Sequence, residues 1–96
     1  MAAERKSVNG SRKKETLECE GEDVIVNGLH NEVVIRGKCS KLTVNGVGNR
    51  VTVAEVVEIA VVGRDNVIRY EHGPDGKPPR IENRLPGNTV EPVERD

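Results

Sequence analysis

The side chains able to do chemistry in this 96-residue chain are few and scattered. The histidines are His30 and His72, the cysteines Cys19 and Cys39, and the serines Ser7, Ser11 and Ser40. Serine catalysis needs its nucleophile on a sharp strand-to-helix turn, and no serine here has flanking residues of that kind. The 20-residue separation of the cysteines excludes a Cys-x-x-Cys redox motif, and two cysteines with scattered histidines do not assemble a zinc site. Glu55 and Glu58, three apart between apolar segments, are the acids a bend would pair. Long β-helices that cleave polysaccharides use clustered acids, but they build a cleft, and this chain has no aromatic platform for sugar stacking. Both glutamates read as solvated charge and both histidines as surface residues. No catalytic residue, no metal site and no cofactor is assigned.

The elements that would carry these residues are strands. Phe and Trp are absent and Tyr70 is the only aromatic residue, while Val and Ile total 21 against 4 Leu. Branching at Cβ restricts χ1 and suits a pleated sheet. A globular core is hard to fill without aromatics, whereas stacked layers of Val and Ile need none. No apolar run reaches the length of a membrane-spanning helix or a secretory h-region, so no membrane insertion is expected. The net charge of −1 hides an asymmetry, because residues 1–16 sum to +3 and the remainder to −4. Residues 1–16 read as a disordered basic segment; an arm contacting phosphates through residues 5–14 is the other reading. The remainder is acidic and lacks interleaved aromatics, so no nucleic-acid partner is expected.

An internal repeat organises the chain. Val24–Ile35, Leu42–Val53 and Ile59–Tyr70 share the pattern apolar-x-Val-x-Gly-x-x-Asn-x-apolar-x-apolar, with glycines 18 and then 17 residues apart. A degraded fourth copy starts at Ile81, after the loop sequence 73–79, and Val8-Asn9-Gly10 hints at a leading one. Each copy holds two alternating segments, and equivalent positions form columns: Val24, Leu42, Ile59, Ile81; Val26, Val44, Val61; Val33, Val51, Ile68, Val90; and Ile35, Val53, Tyr70. One copy cannot bury its apolar face alone, but stacked copies can. The fold expected is therefore all-β, a short β-solenoid of about four coils over residues 17–91, with 92–96 as a tail. Gly28, Gly46 and Gly63 fit turn positions needing φ > 0, and Asn31, Asn49, Asn66 and Asn88 would stack as a corner ladder of amides. The rival is an antiparallel β-meander or small barrel, since Asn27-Gly28 and Asn45-Gly46 are favoured hairpin turns. A meander has no reason to keep an 18-residue period.

Leu17-Glu18-Cys19, the successive Gly-x-x-Asn copies, Arg36-Gly37-Lys38-Cys39 and the closing Gly87-Asn88-Thr89-Val90 resemble a short bacterial family, the domain of unknown function 3060. The family is found largely in actinobacterial secreted or envelope proteins. The resemblance implies a repetitive β fold, an extracytoplasmic setting and a Cys19–Cys39 bridge. It transfers no catalytic residue. Without it the cysteines read equally as reduced small hydrophobes, and the lack of a signal peptide leaves a cytoplasmic setting as the alternative.

These readings lead to a non-catalytic binding or structural module that presents a rigid sheet face to a protein or cell-envelope partner. Glu32, Arg50, Thr43, Thr52, Lys41 and Arg69 would point outward on such faces. The alternatives are a self-associating structural protein, since open solenoid ends are unpaired edges, and a ligand-binding protein whose site forms on oligomerisation around Tyr70, His72 and the 73–79 loop.

Overall fold

The alternating segments become strands that all run parallel. A computed structural model describes residues 5–73, 77–83 and 87–93. Its strands are β1 (Arg5–Ser11), β2 (Lys14–Leu29), β3 (Glu32–Val47), β4 (Arg50–Arg64), β5 (Val67–His72), β6 (Arg80–Asn83) and β7 (Thr89–Pro92). Every pairing is parallel: β1 with β2, β2 with β3, β3 with β4, β4 with both β5 and β6, and β5 with β7. Parallel neighbours that follow directly in sequence require the chain to come full circle between them. The molecule is thus a β-solenoid, and Asn27-Gly28 and Asn45-Gly46 make no hairpin.

Each of β2, β3 and β4 bends midway into two arms. One arm leads into a Gly-x-x-Asn corner and the other leaves it. Leading arms are β1, residues 23–29, 41–47 and 58–64, and β6; trailing arms are residues 14–20, 32–38 and 50–55, then β5 and β7. Residue partners reproduce the repeat columns. Lys6, Val24, Leu42, Ile59 and Ile81 stand in one line, four turns from end to end.

The change in spacing from 18 to 17 has a local cause. The 18-residue register of β3 on β4 holds through Ile35 and Val53, then drops to 17 from Lys38 and Glu55. Ala54 therefore spans what Arg36 and Gly37 span in the preceding coil. Gly37 is a bulge residue at φ 88°, and the third coil lacks it.

Side chains at alternate positions turn inward. Val24, Val26, Val33, Ile35, Leu42, Val44, Val51, Val53, Ile59, Val61 and Ile68 are all buried, joined at the second bend by Cys19, Cys39 and Val56. Burying a Val or Ile contributes roughly 1.5–3 kcal/mol, and stacking identical shapes avoids the voids that unlike layers leave. No aromatic ring enters this core; Tyr70 packs against its edge.

The N-terminal segment departs from the expectation of disorder. Residues 5–16 build a leading coil, with Val8 buried under Val26 and Gly10 in register with Gly28. Lys13 stands in the asparagine column without breaking it, because a backbone N–H is all this position must supply: Lys13 N–H donates to Asn31 Oδ1 at 3.0 Å. At the other end Val93 N–H still donates to Tyr70 O at 2.8 Å. Residues 1–4, 74–76, 84–86 and 94–96, which take in parts of the basic segment, the loop, the fourth copy and the tail, lie outside the described residues. No helix among the described residues is long and apolar enough to cross a membrane.

Candidate functional site

The most ordered polar feature is the column of corner asparagines. Asn31, Asn49 and Asn66 are each at most 1 % exposed. The backbone N–H of Asn31 donates to Asn49 Oδ1, that of Asn49 to Asn66 Oδ1, and that of Asn66 to Asn88 Oδ1, all at 3.0–3.1 Å. In return the side-chain amides donate backward to glycine carbonyls: Asn31 to Gly10, Asn49 to Gly28, Asn66 to Gly46 and Asn88 to Gly63, at 3.0–3.1 Å. Each asparagine thereby staples its coil to the preceding one. Every buried side-chain nitrogen and oxygen among the described residues has a partner, so the ladder satisfies its own polar groups.

The glycine column makes this approach possible. A Cβ on Gly28 would collide with Gly10 O, one on Gly46 with Gly28 O, and one on Gly63 with Gly46 O. Gly28, Gly46 and Gly63 have φ of 131°, 130° and 123°. Left-handed φ falls on the residue before each corner asparagine, His30 at 53°, Gly48 at 70°, Asp65 at 59° and Gly87 at 92°, and on Arg12 at 56° before Lys13. The asparagines are required for their amides.

A second ladder, unforeseen from the repeat, lies outside. Asn27 Nδ2 donates to Asn9 Oδ1 at 3.0 Å and Asn45 Nδ2 to Asn27 Oδ1 at 2.9 Å. The signal was present in the sequence, since Asn precedes Gly in three copies; Val62 ends the run.

Charge also alternates along the coils. Arg5, Asp23, Lys41, Glu58 and Arg80 are successive partners, as are Glu20, Lys38, Glu55 and Lys14, Glu32, Arg50. The contacts include Lys41–Glu58 at 3.5 Å, Lys38–Glu55 at 3.8 Å and Lys14–Glu32 at 3.7 Å. Glu55 and Glu58 are thus each neutralised by a lysine of the neighbouring coil and do not form an acid–base pair. Surface pairs of this kind contribute little individually, but a coil paired two rungs away would meet like charge along these lines.

The remaining candidates do not converge. Ser40 Oγ donates to Gly21 O at 2.6 Å and Ser7 Oγ accepts from Asn9. His30 is exposed at its corner beside Gly48. His72 is exposed at the end of β5, in register with Glu55. Tyr70, His72, Gly73, Lys77, Pro78 and Pro92 line an open depression of about 260 Å³. Among the described residues no three His, Cys, Asp or Glu side chains gather as a metal-binding set.

Cys19 and Cys39 are free, buried thiols, and the implied bridge is not formed. Cys19 is in register with Gly37, whereas Cys39 lies two residues beyond, opposite Glu22. The side chains adjoin across the bend as core residues, and Cys39 Sγ donates to Lys41 O at 3.3 Å. Burial pushes the Cys39 thiol up to about 12, helped by Cys19 and Asp23. Burial, then Glu22, raises Cys19 as well. Glu22 is held low by the Glu20 backbone N–H and by Lys6.

The outward side chains divide between two faces. Lys41 and Thr43 belong to the leading arms. Glu32, Val34, Arg50, Thr52, Val67 and Arg69 of the trailing arms line a shallow groove of about 310 Å³. Arg69 is fixed by Glu91 at 3.2 Å, and Val34 is 38 % exposed.

Fold and corner together define a short parallel β-solenoid whose coils are stapled by asparagine amides. The family described as protein of unknown function (DUF3060) matches residues 26–84, and the chain belongs to it. No curated protein and no solved structure matches the chain.

Proposed function

We propose that this protein is a non-catalytic binding module that presents the trailing-arm face to a protein or cell-envelope partner. The observation carrying this reading is the groove around Thr52. It sets exposed Val34 beside Arg50 and Arg69 on strands that the corner ladder holds rigid. Arginine and apolar anchors on a pre-ordered surface suit recognition, because little side-chain or backbone freedom is lost on binding. The dispersed histidines and serines and the lysine-neutralised glutamates support a role without catalysis. Family membership supports an extracytoplasmic setting.

The test is proximity cross-linking in the native source with the wild type and with an Arg50→Glu/Thr52→Glu variant, after circular dichroism has shown equal folding. A partner held by the wild type and lost with the variant is the expected result. An identical set of cross-linked neighbours for both would overturn the assignment of this face.

A further inference from the structure

The two ends of the solenoid are built differently. At the N-terminal end two of the four inward columns begin with charge, while Val8 and Leu17 head the other two. Lys6 heads the column of Val24, Leu42, Ile59 and Ile81, and Glu15 heads that of Val33, Val51, Ile68 and Val90. Lys6 reaches across the end: its Nζ donates to Glu18 O at 2.7 Å and lies 3.5 Å from Glu22 Oε2. The Lys13 side chain lies along Gly10. This is the polar outer face that a terminal repeat needs.

At the C-terminal end the same columns finish on apolar residues. Ile81 is 39 % exposed and Val90 half-buried. Among the described residues β6 pairs with β4 alone and β7 with β5 alone, and open edges invite a further strand.

Only one arrangement of two copies satisfies both ends. Head-to-tail stacking would place Ile81 on Lys6, Val90 on Glu15 and Arg80 on Arg5, because that charge column begins and ends on a cation. Head-to-head stacking would oppose Lys6 and Lys13 to their own copies. Tail-to-tail contact about a two-fold axis lets β6 run antiparallel to its copy, centred on Ile81. Ile81 then meets Ile81 of the partner subunit, and Arg80 meets Glu82 of the partner subunit on both sides of the axis. Among the described residues neither Arg80 nor Glu82 takes part in an ion pair within the chain.

We propose that the C-terminal end of this solenoid docks on the same end of a second copy, forming a closed two-fold dimer through β6. A two-fold contact is self-complementary and stops at two, and the charged N-terminal ends prevent growth into filaments. Both sheet faces stay exposed in the dimer, so this inference does not depend on the face-binding reading.

The test is sedimentation equilibrium on the full chain across a wide concentration range. The mass is expected to rise to that of a dimer and stop. Arg80→Glu and Glu82→Arg separately bring like charges together twice per dimer and are expected to weaken association about tenfold. The double variant exchanges the pair and is expected to restore it. Ile81→Lys is expected to leave a folded monomer, with circular dichroism unchanged because Ile81 sits on the last rung. A monomer at every concentration, growth beyond two, a dimer indifferent to Ile81→Lys, or a double variant no better than the singles would each overturn the proposal.

Discussion

The Oδ1 of Asn66 accepts twice from Asn49, from its backbone N–H at 3.0 Å and from its side-chain Nδ2 at 3.1 Å. One amide oxygen thus closes the corner of the coil before it, while the Nδ2 of the same residue reaches back to Gly46 O at 3.0 Å. Because both residues are fully buried, no water can replace these partners.

It follows that Asn66→Ala removes far more than one hydrogen bond. It leaves the Asn49 N–H and the Gly46 carbonyl unsatisfied, at about 1–3 kcal/mol each, so a loss of roughly 3 kcal/mol or more is expected in urea unfolding. Asn45→Ala, in the outer ladder, loses a solvent-accessible bond and is expected to cost less than about 1 kcal/mol. Equal costs for the two would show that the inner ladder is not what joins the coils.

The glycines offer a contrast of a different kind. Gly46 at φ 130° has no room for a Cβ, because the Gly28 carbonyl occupies that place. Gly21 at φ 92° opens onto empty space. Gly21→Ala is expected to cost only the left-handed strain of about 1–2 kcal/mol, while Gly46→Ala must also push two coils apart. Thermal melting of both variants checks the order: Gly46→Ala should melt well below Gly21→Ala.

Much of this was legible in the sequence, for physical reasons. A solenoid writes its stacking into its period, so the columns from Val24 to Ile81 and from Val33 to Val90 follow from spacing alone, and with them the stacking of the corner asparagines. The leading coil was harder to read. Only Val8 and Gly10 carry the repeat there, and Lys13 fills the corner with a backbone group that every residue possesses. The left-handed position before each asparagine was not legible, because His30 and Asp65 occupy it without the glycine that would announce it. How Cys19 and Cys39 sit depends on a register shift around Gly21 that brings Cys39 opposite Glu22 while Cys19 faces Gly37, which no separation in sequence reveals.

The thiols make the protein sensitive to alkali. Both have folded-state values raised above the ordinary one, Cys39 to about 12. Below the unfolded thiol value, near 9, both states keep the proton and stability does not change. As the pH rises from there toward 12 the unfolded chain releases protons that the folded chain retains. Stability therefore falls, by up to about 1.4 kcal/mol per pH unit for Cys39, with Cys19 acting in the same direction. Equilibrium unfolding between pH 8 and 11 should show this slope, and Cys39→Val should reduce it. In the native state both thiols should resist alkylation at pH 8 without reductant yet react once unfolded. A chain that reacts only after reduction would instead carry the bridge.

The central claim is that buried asparagine amides hold parallel coils in register, and hydrogen exchange of the side-chain NH2 groups observed by NMR tests it most directly. The account predicts that Asn49 and Asn66 exchange as slowly as the core amides of Val44 and Val61, while Asn9 exchanges freely. Asparagine side chains that all exchange at the rates of exposed amides, as hairpin turns would allow, would contradict it.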